Sequence, residues 1–162
     1  MLALYKTYVR PQLEYCSTVW SPHLLKDIYL VESVQRRFTK CIPGLSHVCY
    51  RQRLLCLKLE TLEYRRLCFD LVQCYKIVYG LDGLRFDDFF KFKLMNYSLR
   101  RHNKQLVEQK FASDVRKYSF FLRVAKVWNY LPQLSVSAPS ISIFKTSLCN
   151  VDFSSFLKYR FD

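Results

Sequence analysis

The sequence predicts a mainly α-helical, compact module of about six helices, and it leaves room for one small β-hairpin. Apolar residues recur at helical spacing over much of the chain. The 162 residues include only 3 Gly and 5 Pro, which is too few for a turn-dense all-β sandwich. Alternating βαβ units are absent, which excludes the usual nucleotide-binding sheets. Apolar residues make up 51% of the chain and aromatic residues 17%, so a disordered chain is excluded as well.

The N-terminal third contains two apolar stripes at helical spacing. The first consists of Val9, Leu13, Cys16 and Trp20. Pro11 lies inside it and predicts a kink or a new helix start. Ser21 followed by Pro22 is typical of an N-cap and a first helical turn. The amphipathic helix predicted from there continues until Pro43 and Gly44. Its charged face is expected to carry Lys26, Glu32, Arg36, Arg37 and Lys40.

Capping residues predict the next helices. Ser46 is expected to cap a short helix that ends near Leu57, and Thr61 a longer one that Gly80 terminates. Helical periodicity is lost over residues 81–103, which predicts a loop-rich connection.

The C-terminal part offers a choice between strand and helix. Residues 105–107 and 115–121 have modest strand character, which allows a hairpin around residues 112–114. A helix explains the spacing of Tyr118, Phe121, Ala125 and Trp128 better, and Pro132 would end it. Pro139 and Ser140 introduce a last short helix. Trp20 and Trp128 each end an apolar stripe, so both are predicted to be buried in the core.

The charge balance predicts a polyanionic partner, nucleic acid before membrane. Lys and Arg number 26 against 13 acidic residues, a net charge of +13. Two basic clusters interleave with aromatic residues, and we expect them to contact phosphates of RNA, DNA or an RNA–DNA duplex without reading its sequence. The alternative is that the charges form only a solvated face. The clusters are Arg36, Arg37 and Lys40, and then Arg116, Lys117, Arg123 and Lys126.

Catalytic and metal-binding patterns are weak. Asp87 and Asp88 form the only adjacent acidic pair, and we interpret it as part of a solvated loop rather than a two-metal site. No Cys-x-x-Cys motif is present. The nearest possible zinc cluster is Cys41, His47, Cys49 and Cys56, of which Cys41 and Cys56 are expected in the core. No signature links His23, His47 or His102 to a nucleophile. The sequence therefore predicts neither an enzyme nor a cofactor.

Cysteine usage and hydropathy bear on the compartment. The 7 cysteines are odd in number and scattered, which favours a reducing intracellular location, cytoplasm or nucleus, over a disulfide framework. No apolar run is long enough for a transmembrane helix, so a membrane partner is not expected.

The chain resembles the C-terminal end of reverse transcriptases from jockey-like non-LTR retrotransposons. The likeness follows the same order over nearly the whole chain. The matching stretches are LYKTYVRPQLEY (4–15), VWSP (19–22), VQRRFTK (34–40), IPGL (42–45), LEYRRL (62–67), YKIVYG (75–80), DVRKYSF (114–120), VWNYLP (127–132) and APS (138–140).

This resemblance implies a fragment that follows the polymerase palm. Residues 1–80 would be a thumb-like helical region, 81–103 a loop-rich connection, and 104–162 a basic helical region packing on the first. The two-aspartate catalytic box, its magnesium and the rest of the polymerase would lie upstream, and Met1 would be internal to a longer element. The resemblance thus implies template–primer binding without catalysis and, as a partner, the rest of a retrotransposon polymerase. A helical protein-interaction module and an inert retroelement remnant are the alternatives.

Overall fold

The structure is a computed structural model that describes residues 1–93, 102–111 and 113–161, and these are mainly helical, as the sequence predicts. The chain forms two compact units, Met1–Arg66 with Leu157–Asp162, and Leu67–Phe156. In chain order the α-helices are α1 Leu2–Leu4, α2 Arg10–Glu14, α3 Ser17–Trp20, α4 Leu25–Lys40, α5 Tyr50–Leu57, α6 Leu62–Val78, α7 Phe86–Phe89, α8 Asp114–Lys117, α9 Phe120–Tyr130, α10 Gln133–Val136 and α11 Ile141–Leu148.

The N-terminal segment is broken into short helices. A π-helical turn, Tyr5–Val9, separates α1 from α2, and Pro11 lies in the first turn of α2, so the predicted helix start there is confirmed. Cys16 has a left-handed backbone (φ 51°) and divides α2 from α3. The predicted apolar stripe is therefore not one continuous helix. The prediction that Trp20 is buried is wrong, since 42% of this residue is exposed.

Helix α4 buries a partly polar face. It begins at Leu25 with no side-chain cap, so the predicted cap at Ser21 is wrong. Glu32 was expected on the charged face but is buried, together with Gln35 and Thr39. Its burial is offset by hydrogen bonds, because Glu32 Oε2 accepts the N–H of Leu62 at 2.8 Å.

Helices α5 and α6 follow the sequence more closely. α5 ends at Leu57 as predicted but begins at Tyr50 rather than after Ser46. α6 is capped as predicted, because Thr61 Oγ1 accepts the N–H of Tyr64 at 3.2 Å. Gly80, with φ 63°, then provides the left-handed residue that ends the helix.

The predicted connection, residues 81–103, lies within the second unit. Asp87 and Asp88 lie in the one-turn helix α7 rather than in a loop, while residues 94–101 of the predicted connection lie outside the described residues. The described strand character is one isolated antiparallel bridge between Phe92 and Leu106. The hairpin around residues 112–114 is wrong for its second arm, because α8 and α9 cover most of residues 115–121. Position 112 is outside the described residues.

Two C-terminal helices, α9 and α11, are those that the sequence predicts, whereas the one-turn helices α8 and α10 were not predicted. α9 ends just before Leu131 and Pro132, and Ser140 Oγ caps α11 by accepting the N–H of Ile143 at 3.3 Å. Trp128 is fully buried, which confirms its prediction.

Candidate nucleic-acid interface

The C-terminal end of α4 and the start of α5 line an open surface cavity of about 470 Å³. We call it the basic cavity. None of its described lining residues is acidic. It brings together the whole first predicted cluster and adds an arginine and a histidine from the following segment. The lining residues are Arg36, Arg37, Lys40, Ser46, His47, Val48, Cys49, Tyr50 and Arg53.

The first cluster comes together because of helix geometry. Arg36 and Lys40 are four residues apart, and Arg37 and Lys40 three apart, so all three side chains share one end of α4. Arg37 and Lys40 are exposed. Cations in the last helical turn also interact favourably with the helix dipole, so their position costs the fold little.

Arg53 is the residue of this site that the sequence analysis missed. It is only 5% exposed and belongs to the buried face of α5. Its Nε donates to Thr39 Oγ1 at 3.2 Å, and Nη1 donates to the carbonyl of Val48 at 2.8 Å. Nη2 donates to the carbonyl of Arg36 at 3.2 Å. These three hydrogen bonds fix the guanidinium in the cavity wall. The available signal was an arginine three residues after Tyr50 on an otherwise apolar helix face.

The ring of Tyr50 supports two of these cations. Its centroid lies 5.8 Å from the guanidinium carbon of Arg36 and 5.4 Å from that of Arg53, within cation–π range. The Tyr50 hydroxyl donates to Glu32 Oε1 at 2.5 Å and accepts from Gln35 Nε2 at 3.0 Å. These bonds hold the ring in place beneath the charged groups.

Burial shifts the pKa values of Tyr50 and Glu32, which lie beneath the charged groups. It raises the pKa of the Tyr50 phenol well above its usual range, and the neighbouring Glu32 carboxylate adds to the effect. Burial also raises the pKa of Glu32, although the hydrogen bonds from Tyr50 and from the Leu62 N–H work against that shift.

The second predicted cluster is divided. Arg116 and Lys117 are exposed on α8. Arg116 Nη2 lies 3.5 Å from Gln109 Oε1, and the ammonium of Lys117 lies 5.2 Å from the ring centroid of Tyr118. Both side chains remain accessible to a ligand.

Arg123 is engaged inside the second unit. Its Nε donates to Asp70 Oδ2 at 2.7 Å and its Nη2 to Asp70 Oδ1 at 2.9 Å, a bidentate pair. Its Nη1 donates to the carbonyl of Tyr118 at 3.1 Å. Because a buried carboxylate neutralises it, we remove Arg123 from the predicted phosphate contacts.

Lys126 belongs to a different environment. It lines a cavity of about 1040 Å³ together with Glu108 and Asp152, two carboxylates against one ammonium. Neither Arg116 nor Lys117 is among the described residues that line this cavity. The structure therefore brings the first predicted cluster together, whereas Lys126 lines a cavity that the exposed pair on α8 does not line.

The structure does not assemble the acidic pair or the possible zinc cluster into a metal site among the described residues. Asp87 and Asp88 are exposed on α7. Cys41 and Cys56, expected in the core, are also exposed. Within the described ranges, no three His, Cys, Asp or Glu side chains come close enough to hold a metal ion.

The same part of the chain has no helix with the length and hydropathy to cross a membrane. His102 is buried, with Nε2 3.0 Å from the Trp128 carbonyl.

Comparison with protein-family models, with curated proteins and with solved structures finds no match to this chain.

Proposed function

We propose that the chain binds nucleic acid through backbone phosphates, without reading the base sequence, and that the basic cavity is the principal contact. Four cationic side chains around one cavity, with no carboxylate among its described lining residues, support this function. Such an arrangement attracts phosphate and releases counterions when phosphate binds. Arg37 and Lys40 supply exposed charge, and Arg53 fixes a further charge in the wall.

The proposed partner is RNA, DNA or an RNA–DNA duplex, held in an intracellular compartment. Arg116 and Lys117 would contribute weaker phosphate contacts in the second unit. The resemblance to the segment after a retrotransposon polymerase palm fits this role, because such a segment holds template and primer. We expect no primer extension by this chain with magnesium or manganese, since the carboxylates that the family uses lie upstream of the matched segment.

The experiment is a salt titration of binding to a labelled duplex by fluorescence anisotropy. Each phosphate neutralised on B-DNA contributes about 0.9 to the slope of log affinity against log salt. If both side chains contact phosphate, the double variant Arg37→Gln, Lys40→Gln should reduce that slope by about 1.8 on unrelated duplexes. The control is Lys26→Gln, Arg51→Gln, which removes the same charge from exposed positions outside the cavity.

Two results would refute the proposal. One is an absence of duplex binding at low salt. The other is an equal loss of slope in the control variant, which would mean that only the net charge of the chain matters and not the cavity. A loss confined to one duplex sequence would replace phosphate contact with base recognition.

A second candidate function is protein binding, which the apolar surface of the N-terminal segment favours. Side chains that would normally be buried are exposed along and between the short helices. They include Leu4, Tyr8, Tyr15, Val19 and Trp20. An absence of nucleic-acid binding would put this function first.

A further inference from the structure

We propose that the first unit binds unpaired bases of single-stranded nucleic acid by stacking them on the exposed rings of Tyr15 and Trp20. This inference rests on the proposed function and adds a class of nucleic acid to it. Phosphates are present on a single strand and on a duplex alike, so phosphate contact alone does not separate the two.

Tyr15 and Trp20 present large aromatic surfaces to solvent. The exposed fraction is 76% for Tyr15 and 42% for Trp20, whereas tryptophan is highly buried on average. An exposed aromatic face can stack on a nucleobase, and such stacking tolerates any base. Inside a duplex both faces of an internal base are already stacked on neighbouring bases. Only an unpaired base is therefore free to stack on these rings.

The backbone holds the two residues together at the junction between α2 and α3. The indole N–H of Trp20 donates to the carbonyl of Tyr15, so the Trp20 ring lies against the backbone that carries Tyr15. Cys16, between them in the chain, has a left-handed backbone (φ 51°), which a non-glycine residue adopts at a cost in free energy. Strained residues of this kind concentrate at ligand-binding sites, and this one lies next to an exposed ring.

The charge of the first unit favours a polyanion over a protein as the occupant. The residues of this unit include about twice as many Lys and Arg as Asp and Glu. Close to Tyr15 in the chain, Arg65 donates to both carboxylate oxygens of Glu14. Arg10 makes only a long ion pair with the same carboxylate, with its Nε 3.9 Å from Glu14 Oε2. The charge of Arg10 is thus only partly compensated, which favours the phosphate beside a stacked base.

The test compares two single-stranded oligonucleotides of equal length and charge, one with thymine bases and one abasic, with the full chain and anisotropy as the readout. Stacking of one base on an aromatic ring corresponds to about fivefold or more in affinity, so the thymine strand should bind at least about fivefold more tightly. Trp20→Leu and Tyr15→Leu should each reduce this ratio, and Trp20→Phe should reduce it less because it keeps a ring. The control Tyr130→Leu removes a half-exposed ring from the second unit and should leave the ratio unchanged.

Tryptophan fluorescence gives a second readout of the same contact. The chain has two tryptophans, and Trp128 is fully buried, so quenching by a ligand reports on Trp20. The thymine strand should quench the emission of the wild-type chain, and the abasic strand should not. Trp20→Phe should lose the quenching.

Three results would overturn the inference. Equal binding of the thymine and abasic strands, with the duplex still bound, would leave the proposed function standing without base stacking. A thymine preference that is unchanged in Trp20→Leu and in Tyr15→Leu would place the stacking elsewhere on the chain. An absence of binding to both strands and to the duplex would overturn the proposed function as well and leave these rings to a protein partner.

Discussion

Arg53 and Arg123 are both helix arginines with most of the side chain buried, yet the fold uses their charges in opposite ways. Arg123 faces Asp70 across a bidentate pair and donates to the Tyr118 carbonyl. Arg53 donates to a hydroxyl and to two carbonyls and lines a cavity with other cations. In the first case a carboxylate cancels the charge, and in the second none of the described residues that line the cavity is acidic.

The contrast shows why a basic cluster in a sequence is not yet a binding surface. Arg53 and Arg123 contribute equally to the net charge of +13. What differs is the opposite charge nearby, and in the second unit that charge comes from a residue 53 positions away in the chain. We therefore propose phosphate binding mainly in the first unit, and the following predictions test that proposal.

The largest effect is expected on stability, in the second unit. Arg123→Met would leave the carboxylate of Asp70 buried without its guanidinium, and breaking a buried pair from one side costs about 3 kcal/mol or more of unfolding free energy. The measurement is urea denaturation. The exposed neighbour Lys126→Met should change stability by less than about 0.5 kcal/mol.

Binding should respond to the same variant very little. Below its unfolding transition, Arg123→Met should keep the wild-type salt slope, because its charge is already neutralised by Asp70. If a folded Arg123→Met protein showed a flatter salt slope, Arg123 would contact phosphate despite its pair with Asp70, and the contrast with Arg53 would be wrong.

The next effect concerns the exposed pair on α8. Arg116→Gln with Lys117→Gln should reduce the salt slope by at most about 0.9, half the change expected at the basic cavity. The reason is that these side chains project from a one-turn helix that has no buried residue. Slopes measured for both double variants on the same duplex decide the point. If the α8 double variant reduced the salt slope more than the cavity double variant, the second unit rather than the first would make the main phosphate contacts.

The smallest expected effect is on how stability depends on pH, and it comes from Glu32 beneath the basic cavity. Burial raises the pKa of Glu32, so above its ordinary value of 4.5 the folded chain binds this proton more tightly than the unfolded chain does. The contribution of Glu32 to stability therefore falls as pH rises from about 4.5 through its folded pKa. Glu32→Gln should remove this component, so the stability difference between variant and wild type should shift in favour of the variant as pH rises. Denaturation curves recorded across that range measure the difference, and one that does not change with pH would contradict the raised pKa.

Local sequence signals were sufficient to predict features that depend only on residues close together in the chain. The cap at Thr61, the left-handed glycine at position 80 and the cap at Ser140 mark the ends of α6 and α11 as predicted. The first basic cluster belongs to the same class, because its members lie within one turn of a single helix.

Long-range contacts explain the errors. Glu32 reads as a surface residue by its charge, but Tyr50 and the Leu62 N–H supply hydrogen bonds that allow its burial. Trp20 and Trp128 end similar apolar stripes, yet only Trp128 is buried. The left-handed backbone at Cys16 interrupts the stripe of Trp20, and spacing alone does not reveal such a break.

By itself, the sequence determined the helical class, several helix ends and the presence of a basic turn on α4, because each follows from residues within a few positions of one another. Only the tertiary structure decided which cations remain available. It placed Arg53 in the wall beside that turn and Asp70 against Arg123. The physical reason is that the availability of a charge depends on its burial and on the opposite charge within a few ångströms, and the folded chain brings those groups together from distant positions.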